Sequence, residues 1–346
     1  RELGLKDLFP LFVSSAKTSA VVMFLVAAAM VSAWLITVAN LPAQLIEILQ
    51  PMLDSPRLLM FTIMVIIIVI GTALDMTPTI LLLTPVLMPV IKAAGIDPVI
   101  QSYKDTWTSQ LFVLADFYNV LAADKNWATN YTAGKAKYAT TAAAMAGFQH
   151  LEDVKKAGYL NRDFASTTYD QALDKLAKGT GAHYPMATWA APSIAAANPD
   201  KLNDVGFFAQ PSSKASVNGV TVWVPSGTYI PAATKNAAAA KKFVGWMTTA
   251  KAVDVMNSVE GFAGGPYYIK GASIPNALPG GVKDLIKYFD KNATAPALEF
   301  VSPIKGPNLE KILIEVGLGI TTAKKAAAAY DADVVKQAKQ LGLKGW

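Results

Sequence analysis

The sequence predicts α-helical transmembrane segments, two to three spans with one of them broken, followed by an α/β layered soluble domain. Three observations predict this. Hydrophobic residues make up 53% of the 346 and charged residues only 16%, well under the ~25% charged usual in soluble domains. The shortage is uneven: residues 1–100 hold five Lys/Arg and six Asp/Glu, while residues 101–346 hold 26 and 19 along with six of the seven Trp. Beyond about Val90 the long apolar runs stop, and helical patterns interleave with short strand candidates, which is the signature of layered α/β packing. The division falls at 1–100 and 101–346.

The first apolar element is residues 20–39, AVVMFLVAAAMVSAWLITVA, uncharged throughout. A span needs ~20 such residues to cross ~30 Å of hydrocarbon. A cleaved signal peptide competes with that reading, because Lys17 precedes the run, but signal cores are usually ~7–15 residues and a second apolar stretch follows here. Residues 41–50, LPAQLIEILQ, read as a short amphipathic helix at the interface. The second stretch, Leu58–Ile91, carries a single charge, Asp75. At ~1.5 Å per residue it is too long for one upright helix, and Gly71 and Pro78 mark a break inside it. Thr72, Thr77 and Thr79 could re-satisfy backbone groups freed there. Broken helices of this kind line ion and substrate sites in transporters, which makes Asp75, Thr72 and Thr77 intramembrane candidates. The alternative is a wetted interfacial loop at 72–77 between two short spans, and the sequence leaves both open. The chain begins at Arg1 rather than Met, which reads as a fragment or a processed product.

AKTSAVVMFLVAAAMVSAWLITVANLPAQL and GTALDMTPTILLLTPVLMPVIKAAGIDPV resemble the large permease subunit of TRAP (tripartite ATP-independent periplasmic) transporters. The resemblance covers residues 1–100 and implies a piece of a sodium-coupled importer of organic acids, with fewer spans than the family uses. Transport by this piece alone is not expected.

After residue 100 the helical patterns fall at about 109–123, 139–157, 168–178, 237–250, 281–291, 307–329 and 332–341, with strand candidates at 181–186, 204–208, 219–224 and 227–231. Gly179 is a C-cap candidate for the third helix, and Val220–Val224 alternates as a half-buried strand should. KDTW at 104–107, VKKAGYLNRDF at 154–164, GTGAHYPMATWA at 179–190, NPDKLNDVGFFAQP at 198–211 and TVWVPSGTYIP at 221–231 follow in order. Together with KNAAAAKKFVGWM at 235–247, they resemble the later part of sugar-binding proteins of ABC importers, the family 1 extracellular solute-binding proteins. The resemblance implies a periplasmic-binding-protein-like domain lacking part of its first lobe, with two lobes closing on a sugar.

Sugars present apolar C–H faces and a rim of hydroxyls, which receptors meet with flat rings and polar groups. Trp107, Trp127, Trp189, Trp223 and Tyr229 are the ring candidates, Asp105 and Asn130 the polar ones, and Gly264–Gly265 a place for close backbone approach. The family likeness favours Trp107, Trp189, Trp223 and Gly264. Plain core packing is the competing reading for each Trp, and it is the reading taken for Trp246, beside Phe243 and Val244.

Cysteine is absent and there are two histidines, His150 and His183, far apart; thiolate chemistry, cysteine zinc sites and disulfide scaffolds are excluded. No nucleophile-elbow, Walker or dinucleotide motif occurs, so the chain is expected not to be an enzyme and to need no cofactor or metal. The net charge of +6 is scattered, unlike a nucleic-acid footprint. Expected partners are a small-molecule solute (a sugar or oligosaccharide), the lipid bilayer and ABC permease subunits, with no nucleic acid. The expected location is a bacterial inner membrane, with the soluble domain in the periplasm or outside the cell. Three functional readings stand: a tethered carbohydrate-binding receptor, a TRAP permease fragment, and a fused or misassembled chimera with neither activity complete.

Overall fold

The computed structural model describes residues 5–73, 76–214, 216–223, 228–260, 269–272 and 278–346, leaving some side chains of the first helices aside. The chain forms two compact units, Arg1–Pro98 and Val99–Trp346.

The first unit is helical. α1 (Leu5–Val38) is followed by α2 (Leu41–Leu49), α3 (Pro56–Ala73) and α4 (Met76–Ala93). Asn40 turns the chain between α1 and α2 in the left-handed region, and Pro42 sits at the start of α2, where its missing N–H costs nothing. The long stretch Leu58–Ile91 is divided as its Gly71–Pro78 segment predicts, into α3 and α4. Asp75 lies outside the described residues, as does the side chain of Thr77. The Thr72 hydroxyl donates back to the Val69 carbonyl at 2.6 Å. Leu49, Leu59, Ile63, Leu87 and Val90 form a small buried cluster. Many other apolar side chains are exposed, among them Phe9, Phe12, Met23, Phe24, Trp34 and Phe61. Taken over the described residues alone, no helix is long and apolar enough to cross a membrane.

In the second unit α5 (Leu111–Leu114), α6 (Phe117–Ala123), α7 (Trp127–Thr132), α8 (Ala142–Lys156), α14 (Leu298–Val301), α15 (Leu309–Leu318) and α16 (Ala323–Gln340) enclose one core. Its centre is aromatic: Trp127 stacks on Tyr131 at 4.9 Å, and Tyr138 meets Trp127 edge-on at 5.1 Å and Tyr330 at 5.2 Å. Each such ring removes a large apolar area from water, worth on the order of 2–3 kcal/mol. Carboxylates at the core's edge meet backbone donors. Glu152 accepts from the Ala323 N–H at 2.7 Å, at the first turn of α16, and Asp331 accepts from the N–H groups of Tyr138 and Ala139.

The single helix expected over 109–123 is instead a 3-10 turn at Thr106–Gln110, then α5 and α6. The break has a cause across the fold. β3 (Val220–Val222) pairs in parallel with β4 (Thr294–Pro296), and the Thr221 hydroxyl donates to the Ala115 carbonyl and accepts the Tyr118 N–H. A side chain therefore takes hydrogen bonds that helix continuity would otherwise need. The pattern over 307–329 divides at Gly319, whose φ of 81° ends α15, and Thr322 caps α16, which absorbs the separate helix expected at 332–341. The strand expected at 204–208 does not form: Asp204 ends a 3-10 turn, and the N–H groups of Phe207 and Ala209 go to α13 (Gly280–Asp290), to Asp284 and to the Tyr288 hydroxyl. The strand expected at 181–186 shortens to β2 (Gly181–His183), and residues 228–231 form none.

Candidate aromatic binding surface

α9 (Tyr169–Lys178) begins with a reciprocal cap, in which Thr168 accepts from the Gln171 N–H and the Gln171 side chain accepts from the Thr168 N–H. It ends at Gly179, left-handed at φ 72°, as its position in the sequence predicts. A carboxylate from outside the helix fixes its start: Asp105 Oδ2 accepts the Tyr169 N–H at 2.6 Å. The Lys104 N–H reaches the Thr167 carbonyl. Through Oδ2, Asp105 anchors α9 to the 102–110 segment.

That anchoring sets the rings. Trp107 sits in the 3-10 turn, which Ser109 and Thr106 tie to Glu310 of α15 at 3.0 Å each. Its ring lies 5.3 Å from Tyr169 and 6.5 Å from Trp189. Trp189 precedes α10 (Ala190–Ala197) and lies 6.2 Å from Trp223, just past β3. Tyr184 extends the other end, 6.4 Å from Tyr169. Its hydroxyl is 2.5 Å from Ser102 Oγ, which itself donates to Thr108. Burial raises the pKa of the Tyr184 and Tyr169 phenols, so both stay neutral donors across the physiological range. The result is a continuous row, Tyr184–Tyr169–Trp107–Trp189–Trp223. Trp107 is 38% exposed and Trp189 40%, while Trp223 is half-buried against the main core.

The structure thus brings together Trp107, Trp189 and Trp223 from three separate segments, and adds Tyr169 and Tyr184, which sequence reasoning missed. Tyr169 follows a capping Thr and Tyr184 follows a short strand, so element-end position was the available signal. Trp127 is not in the row. It is 1% exposed, and its indole N–H is spent on Thr141; it is a core residue, which corrects its place among the ligand candidates. Tyr229 is 89% exposed, and among the described residues no ring contact joins it to the row. The Asn130 carbonyl closes a turn by accepting from Lys135 and Ala136. Gly264 and Gly265 lie outside the described residues. Trp246 is 38% exposed and stacks on Phe243 along α11 (Ala237–Met247), a helix that buries no residue; this corrects its assignment to the core.

Chemically, rings tilted against one another and held by a hydrogen-bonded frame suit ligands with flat apolar faces and surrounding hydroxyls. Among the described residues no group of three or more His, Cys, Asp or Glu is placed to hold a metal ion.

The second unit has the fold of an extracellular solute-binding protein. Residues 88–254 match the bacterial extracellular solute-binding protein family, and residues 1–109 match the DctM component of tripartite ATP-independent periplasmic transporters. The chain therefore joins segments that are similar to two solute-transport families. Its first part is 57% identical over 99 residues to the 2,3-diketo-L-gulonate TRAP transporter large permease protein of Escherichia coli, covering 29% of this chain and 23% of that one. A multiple sugar-binding protein of Streptococcus mutans is 33% identical over 115 residues, covering 33% of this chain and 26% of its own. A chitin oligosaccharide binding protein superposes with a TM-score of 0.59 at 20% identity, covering 74% of this chain and 64% of its own. The chain spans about a quarter of the curated relatives' length and under two thirds of that structure's.

Proposed function

We propose that the second unit is a carbohydrate receptor of the ABC-importer type, binding an oligosaccharide on the aromatic row, and that the first unit tethers it to a bilayer. The observation that carries the reading is the unbroken run of five rings from Tyr184 to Trp223, neighbouring centroids 5.3–6.5 Å apart. Two relatives named for sugar or oligosaccharide binding share segments or fold with this unit, which supports a sugar over other ligands with flat faces. No chemistry on the substrate is proposed; the row binds and orients.

Tethering is supported by the uncharged run 20–39 and by the apolar side chains that α1 and α3 leave exposed. In this reading the bilayer is a bacterial inner membrane, the receptor faces the periplasm or the exterior, and ABC permease subunits receive the solute. A second reading is favoured by the 57% identity to a TRAP permease: residues 1–100 are a permease piece whose own transport is incomplete. Both hold together in a natural fusion, and one sequencing read across codons 90–110 separates that from misassembly.

The test is a titration of the detergent-solubilised chain with chitin oligosaccharides, maltose and cellobiose, following Trp fluorescence. A saturable change is expected with at least one sugar, weakened tenfold or more by Trp107→Ala or Trp189→Ala. A folded sample that responds to none of them, or whose response survives both substitutions, sinks the receptor reading.

A further inference from the structure

Two segments of the chain carry the acceptor pattern of N-linked glycosylation, an Asn followed at the second position by Ser or Thr with no Pro between. They are Asn130-Tyr131-Thr132 and Asn292-Ala293-Thr294. The fold treats them differently. The first lies within α7, where Tyr131 is fully buried and the Thr132 hydroxyl is bonded to the Ala128 carbonyl at 2.8 Å and to Ser302 Oγ at 2.9 Å. The second begins in the turn between α13 and β4, where Asp290, Lys291 and Asn292 are all exposed.

This turn holds its backbone and leaves its side chains available. The Asn292 N–H donates to the Phe289 carbonyl at 2.9 Å and the Ala293 N–H to the Tyr288 carbonyl at 2.8 Å, which closes the end of α13. Both bonds are main-chain bonds. Neither the Asn292 carboxamide nor the Thr294 hydroxyl has a hydrogen-bond partner among the described residues. Asn292 stands at φ 53°, and every other described residue of the second unit with positive φ is a glycine. Glycine is the usual residue at this point of a helix end, with Asn the less frequent choice. An exposed Asn where the chain otherwise uses Gly adds a carboxamide that the turn itself does not need.

We propose that Asn292 is the acceptor of an N-linked glycan, transferred by an oligosaccharyltransferase from a lipid-diphosphate-linked donor. The inference rests on the reading that the second unit faces the periplasm or the exterior. In the transfer, a bond forms between Asn292 Nδ2 and the anomeric carbon C1 of the glycan. The C1–O bond to the diphosphate breaks, the lipid diphosphate departs with that electron pair, and one amide proton is released. A bulky, hydrophilic adduct of this kind belongs on a surface turn. Asp290, two residues before the acceptor and exposed, offers a negative charge that a cationic groove of the transferase can hold.

The topology keeps this site apart from the aromatic row. β3 and β4 run parallel, with Val220 beside Thr294 and Val222 beside Pro296. Asn292 therefore precedes one end of the strand pair, and Trp223 follows the other. A glycan on Asn292 is attached at the opposite end of the strands from the rings.

The experiment incubates the detergent-solubilised full chain with a purified bacterial oligosaccharyltransferase and a lipid-linked oligosaccharide of known mass. Intact mass and peptide mapping then locate the product. The expected result is the addition of one glycan on the peptide that holds Asn292. It should be lost in Asn292→Gly and Thr294→Val, and retained in Thr294→Ser and Asn130→Gln. Asn292→Gly should melt no lower than the parent chain, because glycine suits the left-handed turn, so loss of the glycan there is not loss of the fold. No glycan on the folded parent chain, or a glycan that persists in Asn292→Gly, would overturn the proposal. The reaction is run in solution and does not depend on which side of a bilayer the unit faces. Titration of the glycosylated chain with sugar, followed by Trp fluorescence, reads the receptor separately, and a missing response there would remove the receptor reading while leaving the acceptor site standing.

Discussion

Trp107 and Trp127 lie twenty positions apart and are chemically identical, yet one stands at the surface beside Trp189 while the other is sealed under Tyr131 and Tyr138. The difference is visible in local spacing. Trp127 and Tyr131 are four apart on one helix, so their rings stack on a common face, and that face is the core. Trp107 has no such partner in its own turn and meets only rings from distant segments. Replacing the buried ring, Trp127→Ala, is expected to cost about 3–5 kcal/mol, because the cavity would open among residues that cannot collapse into it. The exposed Trp246→Ala change is expected to stay within about 1 kcal/mol. Denaturant titration of both variants, monitored by circular dichroism, checks the contrast; equal losses would mean that burial does not separate these two rings. Residue type makes both candidates for ligand or core; the family likeness favours Trp107, and the four-residue spacing of Trp127 and Tyr131 is the physical signal that sets the two apart.

Among elements, α9 was readable from end to end because its start and stop are local: a Thr–Gln cap and a glycine. The break inside 109–123 and the loss of the strand expected at 204–208 were not readable, since the groups involved, Thr221, Asp284 and Tyr288, arrive from far along the chain. The break at Gly319 was available in the sequence, because a glycine followed by a capping Thr is a stop and a start. Glycine also shows where elements touch most closely. A Cβ on Gly147 of α8 would lie 2.5 Å from the Phe112 carbonyl oxygen and 2.8 Å from Val113 Cα, both backbone atoms of α5 or its flank. Neither can swing aside, so Gly147→Ala should force the helices apart at a cost of about 1–3 kcal/mol. Gly245 in α11 has nothing within 4 Å of the corresponding position, and Gly245→Ala should instead stabilise by about 0.5–1 kcal/mol through lost chain entropy. Opposite shifts in the denaturation midpoint are the expected reading. A gain in Gly147→Ala would contradict the close approach of α5 and α8, and a loss in Gly245→Ala would contradict the open space beside α11.

For the whole molecule the decisive contrast is between what each unit does with its apolar residues. The second unit gathers most of its buried ones into a large core built on Phe148, Tyr131, Leu309 and Tyr330, with smaller clusters around Leu173 and Leu285. Among its described residues, the first gathers a small buried cluster of five and leaves Phe9, Phe12, Met23, Phe24 and Trp34 exposed along a 34-residue helix. At ~1.5 Å per residue that helix is about 50 Å long, more than the ~30 Å of a hydrocarbon core. Exposed apolar side chains in such number suit a surface covered by lipid or protein rather than water, and under the proposed tether the uncharged run 20–39 meets lipid. The full chain expressed in a bacterium is therefore expected in the membrane pellet, to remain there after alkaline carbonate washing, and to be released by detergent. Release by carbonate would show a peripheral association held by the modest positive charge of the second unit. Because the permease-like part spans about a quarter of its relative, the same vesicles should show no sodium-dependent solute uptake while the detergent-released chain still answers to sugar. Uptake driven by a sodium gradient would reverse the roles assigned here, making residues 1–100 the transporter and the aromatic row its accessory.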